Sequence, residues 1–196
     1  SLIIICGDIL HSKLELSPEC LKVTIDFFKQ LSNIAPLILI AGNHDFAQNN
    51  TDRLDSISPI MQEIQSLHRI HYLKYSGEYI YNNIVLGVSS LIDNIFVKAS
   101  DLVSNDKIKI GLYHGAVAGS VDFVGYKLQN YKYVVNDFIG YDYVMLGDIH
   151  KHQYIDKDFK VCYPSSLIQQ NYGETIQEHG YVLWDLRAKK SRFIHI

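Results

Sequence analysis

Long apolar runs are the first thing this sequence lacks. None of its 196 residues falls in a hydrophobic stretch of about 18 or more, the length a membrane-crossing helix needs, so no such helix is expected. The opening SLIIIC has neither the basic flank nor the cleavage site of a secretory signal. The expected setting is therefore the cytoplasm, or a nuclear or viral-factory equivalent, and not the secretory route. Cysteine is scarce and odd in number: Cys6, Cys20 and Cys162 show no C-x-x-C spacing, which argues against both a disulfide framework and a thiolate zinc site. A strong charge of either sign is missing too. With 18 Lys and Arg against 21 Asp and Glu, the net charge of -3 gives no support to a strongly basic nucleic-acid binder, although basic residues can still cluster locally. No repeat, linker or low-complexity tract is evident, and a single domain over residues 1–196 is the simplest organisation.

What is present is a chain with 47% hydrophobic residues, enough to bury a core, and nine histidines, several beside Asp, Asn or Gly at the ends of apolar runs. Residues 2–6 read as a strand that stops at Gly7-Asp8. Residues 17–32 read as a helix, with Ser17 as N-cap, Pro18 at the first helical position and Glu19 in the first turn. A short buried strand over 37–40 runs into Gly42-Asn43-His44-Asp45. Apolar residues at three- and four-residue steps predict a second amphipathic helix over 52–68. Strands are expected over 70–74, 78–81 and 84–88, the last two joined by Asn82-Asn83, and again over 108–113. Residues 120–140 show no clean period and suggest loop with a short helix near 134–139. A buried strand over 143–146, a hairpin over 154–163 and a closing hairpin from 180–186 to 191–196 complete the reading.

Four of these strands end in polar clusters: Gly7-Asp8-Ile9-Leu10-His11, Gly42-Asn43-His44-Asp45, His114-Gly115 and Gly147-Asp148-Ile149-His150. Singly, each is compatible with an ordinary turn. All four, each following an apolar strand, point to one site, because ligands of α/β folds gather beyond the carboxyl ends of the strands. Carboxylates, an amide oxygen and imidazoles are the mixed donors that suit Mn, Fe or Zn, and none of the clusters holds a thiolate. Two such cations about 3.5–4 Å apart can clamp a phosphate diester and activate water.

The motifs resemble the calcineurin-like metallophosphoesterase superfamily, whose pattern runs D-x-H, G-D, G-N-H-D/E, H and G-H-x-H. The finer resemblance is to SbcD-type double-strand-break repair exonucleases, carried by GDILH, YDYVMLGDIHKHQ, YPSSLIQQNYGE and HGYVLWDL. It implies an α/β fold, a four-layer α/β/β/α sandwich with the site at the strand ends between the sheets. It also implies two divalent metals, Mn first with Mg, Fe or Zn as alternatives, and phosphodiester hydrolysis on DNA. By this resemblance Asp8 bridges the metals, His150 binds the first, and Asn43 and His114 bind the second. His44 is the non-ligand histidine that donates to a phosphate oxygen as general acid or electrostatic stabiliser. His11 and Asp45 are candidates for the neighbourhood of the substrate, and Asp45 is equally suited to ordering its loop by hydrogen bonds. Implied partners are DNA, a second copy in a homodimer and an SbcC-type coiled-coil ATPase, with a capping domain beyond Ile196.

Two departures qualify that picture. Asp148 stands where the superfamily usually has the first histidine of G-H-x-H; as a harder, negatively charged donor it should favour Mn or Mg over Zn. No D-x-H precedes Asp8, and the chain opens at Ser1 within a strand-like run, so the first strand and its motif are expected upstream. With Asp8 and His150 alone for the first metal, and Asp8, Asn43, His114 and Asp148 for the second, these residues should hold one cation better than two and be weak or inactive as catalysts by themselves. The rival readings are a phosphatase or cyclic nucleotide phosphodiesterase using the same metals, and a metal-free phosphoesterase-like scaffold subunit.

Overall fold

Ser17 caps the first helix: its hydroxyl accepts from the Cys20 backbone N–H at 3.1 Å, with Pro18 and Glu19 in the first turn behind it. In the computed structural model, which describes residues 1–13, 15–50 and 52–196, that helix, α1, covers Pro18–Ile34. It lies between strands β1 (Ile3–Cys6) and β2 (Leu37–Ile40). The second helix, α2 (Ile57–Ile64), is much shorter than the periodicity over 52–68 implies. Asp55 sets its start by accepting from the backbone N–H groups of Ile57 and Ser58 at 3.0 and 2.7 Å, which ties the preceding turn in a capping conformation. Leu54 and Leu67 continue the apolar stripe in sequence but lie outside the helix and are 63% and 76% exposed.

Strands β3 (Ile70–Tyr72), β4 (Gly77–Tyr81) and β5 (Ile84–Ser89) follow, and Asn82 makes the β4–β5 turn at φ 53°. Next come β6 (Ile108–His114), the short pair β7 (Val117–Ala118) and β8 (Tyr133–Val134), and β9 (Tyr143–Gly147). Where a short helix near 134–139 was expected, a 3-10 turn spans Val135–Phe138. The hairpin β10 (Gln153–Tyr154) to β11 (Val161–Tyr163) turns on Asp156, whose Oδ1 accepts from Lys160 N–H at 2.9 Å and Val161 N–H at 2.7 Å. The chain closes with β12 (Gly180–Asp185) and β13 (Lys190–His195), paired antiparallel.

Strands β1, β2 and β3 form a small parallel sheet. A six-stranded sheet runs β10-β11-β9-β6-β5-β4, parallel from β11 to β5 with an antiparallel strand on each edge. Because successive side chains of a strand point to opposite faces, β2 serves two cores. Leu37 and Leu39 pack under Phe28 of α1 and Ile57, Ile60 and Met61 of α2. Ile38 and Ile40 face the other way, against Leu86, Val88, Ile110 and Leu112 of the large sheet. Full burial of each such side chain stabilises by about 1.5–3 kcal/mol relative to exposure. The far face of the large sheet carries Val85, Val144, Leu146 and Tyr163 beneath Val97, Phe138 and Tyr141. The layers therefore stack α/β/β/α as expected, with the outermost built, among the described residues, from loops and the 3-10 turns Ala99–Asp101 and Val135–Phe138. Tyr141 lies over Gly87 and Gly111 and donates to the Val97 carbonyl at 2.8 Å; a side chain at Gly87 would meet its hydroxyl. This stacking sets the carboxyl ends of β1, β2, β6 and β9 beside one another.

Candidate metal centre

Two of the strand-end aspartates hold backbone conformations that L-residues seldom adopt. Asp8 follows β1 at φ 54° and Asp148 follows β9 at φ 91°. Aspartate tolerates the left-handed region better than bulkier residues, and strain of this kind gathers at functional sites. It turns both carboxylates back over the strand ends. Glycine permits the crowding this needs: a Cβ at Gly147 would collide with the Cys6 carbonyl oxygen, and one at Gly42 with the Asp8 nitrogen.

Into that crowding projects His114, the last residue of β6 and 1% exposed. Its Nδ1 lies 2.6 Å from the Cys6 carbonyl, which can only accept, so Nδ1 carries a proton. Nε2 then faces Asp8 Oδ2 at 3.3 Å, Asn43 Oδ1 at 3.4 Å and Asp148 Oδ1 at 3.8 Å. Three oxygens converging on an imidazole nitrogen whose partner atom is already committed require something positive at their centre, either a proton on Nε2 or a cation. Asp8, His114 and Asp148 offer ligand atoms all within 4.8 Å of one another. Donors bound to one ion at about 2.0–2.2 Å lie up to about 4.4 Å apart, so a small inward shift suffices. The donor set fits a divalent cation.

The electrostatics agree. Burial opposes charge on His114, but the hydrogen bond and charge of Asp8 outweigh it and hold the imidazole above its ordinary value. Burial likewise works to raise Asp8, yet His114 and the His44 backbone N–H bring it below the usual carboxylate range. Asp148 is held up, by burial first, with His114 pulling it down and Asp8 pushing it up. In the metal-free chain a proton shared between His114 and Asp8 thus takes the place that a cation would take.

The G-N-H-D turn divides its work. Asn43 presents its amide oxygen to the cluster. The His44 backbone N–H donates to Asp8 Oδ1 at 2.9 Å, its Nδ1 sits 3.1 Å from the His11 carbonyl, and its ring stacks on His11 with centroids 5.2 Å apart. His44 Nε2 is thereby the ring atom left for a ligand. Asp45 is fully buried, so its expected place beside a substrate is corrected in favour of the loop-ordering role. Its Oδ1 accepts from the Ile9 and Leu10 N–H groups at 3.0 and 2.9 Å, and its Oδ2 from Gly42 N–H at 2.8 Å. Burial pushes this carboxyl up to about 6 while the Gly42 and Leu10 N–H groups pull against it.

His150 lies apart from the Asp8–His114–Asp148 group. Its Nδ1 is 2.7 Å from Oε1 of Glu174, a buried carboxylate to which the motifs assigned no role. The only sequence signal was its place in YPSSLIQQNYGE. The Cys6 carbonyl that orients His114 had no side-chain signal at all.

A family model of calcineurin-like phosphoesterases matches residues 1–152. The chain is 44% identical over its full length to an uncharacterized protein of Acanthamoeba polyphaga mimivirus, of which it covers 15%. It is 27% identical, over 92% of its length, to a putative phosphoesterase of Invertebrate iridescent virus 6, covering 62% of that protein. It is 23% identical, over 96% of its length, to the SbcD component of the SbcCD nuclease of Staphylococcus saprophyticus, covering 56% of it. The chain thus spans less than two thirds of each of these relatives.

Proposed function

We propose that this chain, which belongs to the calcineurin-like phosphoesterase family, is the metal-binding catalytic domain of a DNA phosphodiesterase. The observation that carries the reading is the convergence of Asp8, Asn43 and Asp148 oxygens on His114 Nε2. Asp8, Asn43, His114 and Asp148 would hold one divalent cation, and Asp8 with His150 would contribute to a second. Bound cations of this kind polarise a phosphoryl oxygen and make an attacking water more acidic near neutral pH. His44, steadied by the His11 carbonyl and ring, presents Nε2 to the leaving or non-bridging oxygen and stabilises the charge that develops there. His11 supports His44 and lies at the mouth of the site. Asp45 keeps the loops that carry Asp8 and Asn43 in register.

DNA as substrate is supported by the likeness to the SbcD component of the SbcCD nuclease, which also suggests an SbcC-type ATPase partner and a homodimer. Mn is the cation we favour, because three of the four donors are oxygens. Residues 1–196 act as one domain, and no helix among those described is long and apolar enough to cross a membrane.

The test measures Mn and Zn binding to the purified chain by calorimetry, and hydrolysis of end-labelled DNA and of a small phosphodiester by the whole gene product. One cation should bind tightly and a second weakly, with DNA cleaved and both His114→Ala and Asp8→Asn abolishing the tight site. Cleavage of the small ester without DNA would choose the phosphatase reading. Failure of the whole gene product to bind any divalent cation would choose the scaffold.

A further inference from the structure

We propose that Glu174 is a positioning residue for His150, holding its imidazole so that Nε2 alone is offered to a cation; this rests on the reading of His150 as a metal ligand. Glu174 is 6% exposed, and among the described residues its ion-pair partner is His150, at 2.7 Å between Oε1 and Nδ1. The rest of its surroundings already fix the carboxylate. Oε2 accepts from the Gln170 N–H at 2.8 Å, and Oε1 accepts from Asn171 Nδ2 at 2.7 Å. Burying an ionised carboxylate is costly unless a charged or strongly polar partner offsets it. Contacts to one backbone N–H and one amide order a loop but do not by themselves explain a buried acid.

The same loop grips His150 a second time. Ser165, at φ 88°, donates its hydroxyl to the His150 carbonyl and lies equally near the Glu178 carbonyl, 2.9 Å from each. Residues 165–174 therefore restrain both the main chain and the ring of a histidine whose side chain is otherwise 31% exposed and free to turn. A carboxylate accepts, so Nδ1 must carry the proton and the Nε2 lone pair faces away from Glu174. An imidazole fixed in this way is a better ligand because its tautomer and direction are set before the cation arrives.

Two readouts decide the matter, neither of which needs turnover. Long-range 1H–15N correlation spectra of the metal-free chain should show His150 as the Nδ1–H tautomer, becoming mixed in Glu174→Ala. Calorimetry should show the weaker cation bound about 10–100-fold less tightly in Glu174→Ala, with the tighter cation unchanged. Asn171→Ala removes a loop contact to Glu174 without touching His150, and should leave both readouts near wild type. If Glu174→Ala does not fold, Glu174→Gln carries the test: its amide oxygen can still accept from Nδ1, so the tautomer should persist while affinity falls less. A wild-type tautomer and affinity in Glu174→Ala, or equal losses in Asn171→Ala, would overturn the proposal. His150→Ala with both cation affinities intact would instead show that His150 is no ligand, and the proposal would fall with that reading. The two failures are distinguishable because the spectra report the ring's restraint independently of any cation.

Discussion

Replacing Asp45 by Asn changes one atom type at the centre of the G-N-H-D turn and should loosen two metal-bearing loops together. The carboxylate takes three backbone N–H groups from opposite sides, Ile9 and Leu10 on Oδ1 and Gly42 on Oδ2. An asparagine can keep its oxygen toward Ile9 and Leu10, but its NH2 then meets the Gly42 N–H donor to donor. One buried hydrogen bond is lost and two donors are left unsatisfied, at about 1–3 kcal/mol each, and the two remaining bonds lose their charge assistance. Relief from burying a charge offsets part of this, because burial already pushes the Asp45 carboxyl up to about 6. The net expectation is a loss of about 2–3 kcal/mol. For a chain of this size that lowers Tm by about 4–12 °C and should shift the urea midpoint with little change in slope. Affinity for the tighter cation should fall as well, since Asp8 and Asn43 flank the loosened contacts. Unfolding within about 0.5 kcal/mol of wild type, measured in urea at about pH 7, would refute the account and return Asp45 to a place beside the substrate.

Asp148→His should move the cation preference toward Zn, read by competition between Mn and Zn; an unchanged preference would show that this carboxylate does not set selectivity. Gly147→Ala drives a methyl group into the Cys6 carbonyl oxygen, and should cost about 3 kcal/mol or prevent folding, measured by thermal unfolding. For Asp55, burial works to raise the carboxyl, but Ser58 and Lys74 outweigh it and hold it below the usual carboxylate range. Its stabilisation is therefore present above the unfolded value of about 3.9 and lost as pH falls through the lower folded value. Asp55→Asn should destabilise by about 1–3 kcal/mol at about pH 7, with the difference from wild type shrinking in urea titrations as the pH is taken below that window.

The polar endings of the strands were legible because their signal is local. An apolar run stopping at Gly-Asp or Gly-Asn-His-Asp marks a strand end carrying donors, whatever lies next to it. The cap at Ser17 and the turn at Asn82 were equally local, and both are where the pattern put them. Periodicity overreached at residues 52–68, because Asp55 starts the helix by a side-chain bond that hydrophobic spacing does not encode. It gave no clear answer over 120–140, where Tyr141 and Phe138 are arranged by what they cover and not by a repeat. The centre itself depended on tertiary structure. That His114 meets Asp8, Asn43 and Asp148, that a main-chain carbonyl at Cys6 sets its tautomer, and that Glu174 comes back across the chain to His150 all follow from the stacking of two sheets. Sequence by itself determined which donors stand at the strand ends, since turn chemistry acts over a few residues. Only the folded chain decided which of them share a centre, because that distance is set by β1, β6 and β9 packing side by side.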